Sequence, residues 1–331
     1  MFTVNVRKPS SVMVMGAALC FLVSPVVQAQ AILEEIVVTA QKREENIIEV
    51  PISITKMSGD RLTSRFLAGE DILALASAAP GIHIESSNGR LAPRFYLRGL
   101  GNADFTAAAS QPVSVVFDDV PMENSGMKAF PLFDLDNIEI IRGPQGTLFG
   151  RNTTAGIVKV DTRRPTEETE GYIRGVAGSE GTFNAEGALG GTLIDGTLMG
   201  RVSFITQNKD DWVSNAFTGE DDALGGQNIG AARLQLLWTV DNFTALLLHQ
   251  QQNNKSSTSF FRANVFDTGS NEPNANYTRD VVYFDGGANN RGYMKSRGTT
   301  LKLDWDLDNH SLTSITAYHD IYDRGGRGDI D

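Results

Sequence analysis

The sequence predicts an α+β domain followed by antiparallel strands of a transmembrane β-barrel, with the barrel incomplete within the chain. Three observations carry this expectation. Residues 1–29 read as a secretory signal peptide. From there to about residue 165, helix-like and strand-like segments are interleaved. After Pro165 the helix signals vanish. Segments of about ten residues then alternate apolar and polar side chains between Gly/Asn/Asp-rich turns, as outer-membrane barrel strands do. A soluble β-sandwich alternates in the same way with shorter strands. The secretory signal and the long polar stretches 207–228 and 251–296, which resemble extracellular loops, favour the barrel.

Arg7 and Lys8 supply the positive start of the signal, Val12 to Val23 its apolar run, and Val27-Gln28-Ala29 a small-residue cleavage site before Gln30. The apolar run is short for a spanning helix. Cys20 follows Leu19, where a lipoprotein signal needs a small residue, so Cys20 belongs to the apolar run. Removing the signal takes Arg7, Lys8 and the sole cysteine, which moves the formal net charge from −11 to −13 and excludes disulfides from the mature part. A chain this acidic is a poor candidate for general nucleic-acid binding, which needs basic patches. No helix-length apolar run remains, so membrane residence requires a barrel.

Residues 30–45 are expected to be a flexible N-terminus. It carries a β-prone run, Glu34-Glu35-Ile36-Val37-Val38-Thr39-Ala40-Gln41-Lys42-Arg43. A strand former at a mobile terminus invites pairing through its free backbone groups, so the run reads as a strand offered to a partner. In the domain from 46 to 165, Ile52 to Thr55 predicts a strand, and Ser58 caps a helix from Gly59 to about Leu67. A second helix near Glu70 to Ser77 buries Ile72, Leu73, Leu75 and Ala76 and ends at Pro80-Gly81. Further strands are predicted at Ile82–Glu85, Phe95–Gly99, Val113–Phe117, Ile138–Ile141 and Ile157–Thr162. A turn covers Asp118 to Pro121, and a glycine-rich stretch runs from Arg142 to Gly156.

In the barrel region, 166–331, the clearest strand is Thr299 to Asp308. Leu301, Leu303, Trp305 and Leu307 take one face, and Lys302, Asp304, Asp306 and Asp308 the other. Gly230–Val240 and Thr197–Gln207 alternate likewise. Gly171–Gly178, Phe183–Gly190, Phe243–Gln250 and Leu312–Tyr322 are weaker examples. About seven strands fit, whereas a lumen able to hold a plugging domain needs about 22. The chain is therefore expected to hold an N-terminal domain and roughly the first third of a barrel.

Three motifs in order resemble the TonB-dependent outer-membrane receptors. The first is Glu35-Ile36-Val37-Val38-Thr39-Ala40-Gln41-Lys42-Arg43 with Val50-Pro51-Ile52-Ser53-Ile54-Thr55 after it. The second is Leu97-Arg98-Gly99-Leu100-Gly101 with Val115-Val116-Phe117-Asp118-Asp119-Val120-Pro121. The third runs from Ile138 to Gly156 and includes Arg142, Gly143, Pro144, Gly146, Gly150 and Arg151. Two departures stand out: Asp119 replaces a usual glycine, and Ala155 stands where a second glycine is common. The resemblance implies that residues 46–165 form a plug inside the barrel. Glu35 to Ala40 would be a TonB box that pairs with the periplasmic protein TonB, energised through ExbB and ExbD. The glycines permit tight turns. Arg98, Arg142 and Arg151 either pair with carboxylates of the barrel wall or satisfy carbonyls within the plug.

The resemblance also implies active transport across the outer membrane, in contact with outer-membrane lipid. A ferric siderophore is the default cargo, with cobalamin, haem or a glycan as the remaining classes. No resident cofactor or metal is implied, and no enzyme activity, since iron travels as part of the substrate. A signal-transducing receptor is disfavoured, because only a few residues separate Ala29 from Ile36. The same residues also fit a soluble plug-type binding module or a non-functional remnant. Gly143 to Arg151 lacks the Gly-Lys-Ser/Thr ending of a phosphate loop. Asp304, Asp306 and Asp308 lack the glycine and glutamate of a calcium loop. His83, His249, His310 and His319 show no metal-site spacing.

Overall fold

The computed structural model describes residues 36–43, 45–66, 71–86, 89–104, 106, 109–285 and 291–325. The expected signal peptide, together with Glu34 and Glu35, lies outside them.

The N-terminal domain begins with two short strands, β1 (Val37–Val38) and β2 (Glu45–Asn46), paired antiparallel. Strand β3 (Ser53–Ser58) runs directly into helix α1 (Gly59–Phe66), which buries Leu62 and Phe66. The second predicted helix is a 3-10 segment, Ile72–Ser77. Leu73 and Ala76 pack against the core only in part, while Ile72 and Leu75 are buried. The reason is length. Six residues lie between Asp71, whose carboxylate caps the Leu73 amide, and the Ala78 amide that closes on Leu75. Such short segments favour i→i+3 bonding.

Strands β4 (Ile82–Glu85) and β5 (Arg94–Leu97) form a separate ladder. Strands β6 (Val113–Phe117) and β7 (Val120–Met122) are joined by Asp118-Asp119 alone. Val120 and Pro121 are thus strand residues and not part of the expected turn. Strand β8 (Leu135–Arg142), the short helix α2 (Gly146–Phe149) and β9 (Gly156–Thr162) complete the domain. Its five-stranded sheet has the order β3-β8-β9-β6-β7, with β6 and β9 parallel. Period-2 alternation divides its faces. Met57, Ile138, Ile140, Val158, Val160, Val115 and Phe117 build the main core with Leu62, Phe66, Ile72 and Leu75. The opposite face carries a smaller cluster of Ala40, Val116, Ile141, Phe149 and Ile157.

The second region is a meander. Its strands are β10 (Glu170–Ala177), β11 (Phe183–Ile194), β12 (Leu198–Lys209), then β13 (Val213–Asn215) and β14 (Glu220–Leu224). They are followed by β15 (Gln227–Val240), β16 (Phe243–Asn254), β17 (Val281–Val282), β18 (Tyr293–Leu307) and β19 (His310–Arg324). All seven expected long strands are present in one antiparallel sheet, ordered β10-β11-β12-β15-β16-β18-β19. The sheet is open, with β10 and β19 at its edges.

Several strands run further than the alternation suggested, because polar residues beyond the apolar band, such as Gln250 to Asn254, continue the pairing. The stretches expected as loops are partly ordered: β13, β14 and β17 make a small sheet around Val213, Leu224, Val282 and Phe284. The tight turns 195–197, 241–242 and 308–309 lie at one end of the sheet, and the turn 178–182 and these long segments lie at the other. The side facing the N-terminal domain buries Arg201, Ser203, Arg233, Gln235, Gln250 and Gln252, whereas the far side exposes Leu234, Trp238, Leu247, Leu301 and Trp305.

Candidate functional site

The β-prone N-terminal run is docked, which corrects the expectation of a free strand. Strand β1 pairs with β2 in the register Val37↔Asn46 and Val38↔Glu45. Val38 and Ala40 are completely buried, and Ile36 remains half exposed. Three charged side chains hold the run. Lys56 Nζ donates to Val37 O at 2.5 Å, Thr39 N donates to Glu139 Oε1 at 2.9 Å, and Lys159 Nζ donates to Thr39 Oγ1 at 2.9 Å. The three lie side by side on β3, β8 and β9, as the pairings Lys56↔Glu139 and Glu139↔Lys159 require.

The physical cause of docking is that buried backbone groups must find partners. A two-residue strand leaves several groups for side chains to satisfy. Lys159 also binds Asp161. Burial pushes the Asp161 carboxyl up to about 6, against the pull of Lys159 and with help from Asp118 and Asp119. Sequence reasoning missed this Lys-Glu-Lys row. Its signal was a charge beside apolar residues near the middle of each of three strands.

The other predicted residues fall into three groups. Arg98 and Gly99 form the tight turn whose flanks, Leu97 and Leu100, exchange two backbone hydrogen bonds of 3.0 Å. Arg142, Gly143 and Pro144 line an open pocket of about 480 Å³ with Arg98 and Leu148. Arg142 donates to the Pro80 carbonyl at 2.9 Å and to Thr55 Oγ1 at 3.0 Å. Burial, and then the charge of Arg98, lowers the pKa of its guanidinium. Gly146 opens α2, Gly150 follows it, and Arg151 pairs with Glu123 at 3.3 Å. Gly156, at φ +144°, starts β9, where a Cβ would meet the Ile141 carbonyl at 2.2 Å. Asp118 and Asp119 are both left-handed, at φ +45° and +67°. Asp118 accepts from the Thr162 amide and hydroxyl. Asp119 reaches Lys302 Nζ on β18 at 2.8 Å. Burial alone would raise the Asp119 pKa, but the hydrogen bond and charge of Lys302 outweigh it and the carboxyl titrates below its ordinary range.

Besides Ile205 and Ala231, which join the apolar core, the sheet meets the domain through deeply buried polar contacts. Arg201 on β12 grips Asp134 with two bonds, Nε to Oδ2 at 2.8 Å and Nη2 to Oδ1 at 2.6 Å, and holds Glu170 at 2.7 Å. Arg233 on β15 is fully buried and stacks over Phe133, Phe117 and Phe130 at 4.5, 5.5 and 5.8 Å from the ring centroids. It also donates to the Phe133 carbonyl. A desolvated guanidinium over an aromatic face is worth about 2 kcal/mol or more. Gln235 donates to Thr162 Oγ1 and the Arg163 carbonyl. Among the described residues, no cluster of His, Cys, Asp or Glu is arranged to hold a metal ion.

Comparison with known proteins agrees with this architecture. Residues 46–157 match the TonB-dependent Receptor Plug Domain. This stretch carries the plug domain of that family. The chain is 34% identical over 206 residues to the pesticin receptor of Yersinia pestis, an alignment covering 61% of this chain and 29% of that protein. It is 27% identical over 196 residues to the ferric-pyoverdine 358 receptor of Pseudomonas putida, covering 57% of this chain and 22% of the relative. Among solved structures it resembles the ferric yersiniabactin uptake receptor FyuA from Yersinia pestis. There the TM-score is 0.70 at 25% identity, over 82% of this chain and 41% of that one. The chain thus spans less than a third of the pesticin receptor.

Arg142 satisfies a carbonyl inside the plug, and Arg151 pairs within it. Among the described residues, neither they nor Arg98 reach a carboxylate of the wall. The charge pattern runs the other way, with wall Arg201 and Lys302 gripping plug Asp134 and Asp119. The departure from glycine at 119 therefore places a carboxylate where Lys302 needs one.

Proposed function

We propose that this chain is the energy-coupling and gating part of an active importer of the bacterial outer membrane, most simply one for a ferric siderophore. A signal peptide at 1–29, a TonB box at 30–45, the plug at 46–165 and barrel strands from 166 onward make up the division we infer. The observation that carries the reading is the docked run Val37–Ala40, held on the plug by Lys56, Glu139 and Lys159 at the short-turn end of the sheet. Short turns face the periplasm in such barrels, which puts the run on the side where TonB works. Glu35 to Ala40 would pair with TonB by strand addition, in which backbone bonds give affinity and tolerate varied side chains. Pairing of this kind competes with β2 and with the three charged side chains, so force on the run is passed to β3, β8 and β9 in the centre of the plug. ExbB and ExbD would energise TonB.

The exposed Leu234, Trp238, Leu247, Leu301 and Trp305 would face lipid. Trp238 packs edge-on to Phe243 at the short-turn end, and Tyr293 to Tyr322 at the other, as two aromatic girdles would require. Ferric siderophores are favoured as cargo by the names of the ferric-pyoverdine and ferric yersiniabactin receptors among the similar proteins. The test is growth of a strain deleted for the intact gene on single sources of ferric chelates, cobalamin and glycans. Loss of growth on one ferric chelate, restored by the gene, is expected. Unchanged growth on every ferric chelate contradicts the substrate assignment.

A further inference from the structure

The wall of the sheet treats the plug unequally along its width. On β12 and β15, Arg201, Arg233 and Gln235 each make direct bonds to the plug, even though Arg233 Nε and Nη2, Gln235 Oε1 and Ser203 Oγ have no hydrogen-bond partner among the described residues. On β16 and β18 the inward side chains are different. Gln250, Gln252, Asn254, Ser296 and Thr300 are all buried, and the pairings Gln252↔Ser296 and Gln250↔Gly298 make them one continuous strip. Both amide atoms of Gln252, the Gln250 carbonyl oxygen and the Asn254 amide nitrogen have no hydrogen-bond partner among the described residues. Beside them His319 Nε2 is also unpartnered, its ring filling the space that Gly298 leaves open.

Buried amides are costly to leave unmade, by about 1–3 kcal/mol each, so such groups are suited to hold water or ligand oxygens. The strip is neutral throughout. Towards the periplasmic end it reaches Thr300 and then Lys302, whose ion pair with Asp119 joins this part of the wall to the plug. That pair lines an open cavity of about 1010 Å³ together with Asp304, Thr313, Lys159 and Thr39.

We propose that cargo passes along the seam between the plug and the inward face of β16 and β18, over Gln252, Gln250, Ser296 and Thr300. The Asp119–Lys302 pair closes the periplasmic end of this path. The proposal rests on the transport reading and adds a route to it. The chemistry fits an oxygen-rich polar solute such as a metal chelate. Neutral amides and hydroxyls exchange hydrogen bonds with water and ligand oxygens at similar free energy, so the solute is wetted without being trapped. The fixed side of the wall, with its buried arginines, would hold an anionic chelate too tightly to release it. The gate is weaker than the anchors by construction. A lysine offers a point charge, whereas Arg201 grips its carboxylate with a planar fork. The gate also borders the cavity that Thr39 lines, within reach of the coupling run.

The test uses the intact receptor in cells, with single cysteines introduced into a cysteine-free background. Gln252→Cys and the nearly isosteric Ser296→Cys report on the strip, and Gln235→Cys on the anchored wall. A membrane-permeant maleimide is applied, with and without TonB, while an iron-loaded catecholate, hydroxamate or citrate chelate is supplied. Labelling at 252 and 296 should rise several-fold only when a chelate is being taken up, with 235 unchanged. Asp119→Gly should raise labelling at 296 without TonB. An equal rise at 235, or no rise at 252 and 296 during normal uptake, overturns the route. Unchanged labelling at 296 in Asp119→Gly overturns the gate. If the unmodified receptor takes up none of the chelates, the transport reading fails and the route with it, an outcome distinct from uptake without labelling.

Discussion

Replacing Asp134 by Asn tests how the plug is attached to the wall. Asp134 and Arg201 are essentially inaccessible, with side-chain exposures of 0% and 1%, and two short bonds join them. Breaking a buried pair by removing one partner costs about 3–5 kcal/mol, because the remaining charge is left uncompensated. Arg201 keeps Glu170, a more exposed partner at 2.7 Å, so the lower end of that range applies. Asn also tolerates the left-handed backbone at 134, φ +50°, so backbone strain does not confuse the result. A loss of about 3 kcal/mol multiplies the undocked population by roughly 150. The plug contains no tryptophan, since Trp212, Trp238 and Trp305 all lie beyond it. A fluorophore on Thr147→Cys, an exposed position, therefore reports urea-induced undocking in detergent. The midpoint should fall in Asp134→Asn and largely recover in Asp134→Asn/Arg201→Met, where no buried charge is stranded and Glu170, 44% exposed, is left to solvent. An unmoved midpoint, or a double variant weaker than the single one, would refute the reasoning.

Further outcomes follow from the docked run and its surroundings. Lys159→Met removes the donor to Thr39 and should raise trypsin cleavage at Lys42 and Arg43 several-fold, read on folded receptor in outer membranes. Asp161 titrates near 6 in the folded plug against an ordinary value of 3.8. The folded state therefore binds the proton more readily, and this group destabilises the plug above pH 6 by at most about 3 kcal/mol, a penalty that vanishes as pH falls toward 4. The urea midpoint of the parent should accordingly rise between pH 7.5 and pH 5 by more than that of an Asp161→Asn/Lys159→Met double variant, in which neither charge of the buried pair remains. Gly156→Ala places a methyl against the Ile141 carbonyl at a positive φ and should cost at least about 2 kcal/mol in the same urea assay.

The long strands were legible because each alternates over enough residues for the period to stand out, as in Leu301 to Leu307 opposite Lys302 to Asp306. Their ends were not, because Gln250 to Asn254 is polar on both faces and pairing there is fixed by the neighbours in the sheet. The 3-10 form of Ile72–Ser77 depends on the distance between its cap and its close, which apolar periodicity does not encode. Among the functional residues, the N-terminal run and the glycine turns were visible as local patterns. The row Lys56, Glu139 and Lys159 was hidden, because three strands distant in sequence must be aligned before their charges become neighbours. The wall arginines were hidden for the same reason. Arg201 and Arg233 look like ordinary polar positions of alternating strands until Asp134 and the three phenylalanines are set opposite them.

If Val37 to Ala40 couples the intact protein to TonB by backbone pairing, a residue that blocks such pairing must uncouple it. Proline removes a backbone donor and cannot extend a strand ladder. The decisive measurement is uptake of a radio-iron chelate by Val37→Pro and Val38→Pro variants of the intact receptor, alongside chelate binding and outer-membrane insertion. Uptake should be abolished while binding and insertion persist. Uptake at the parental rate in both variants would contradict the account.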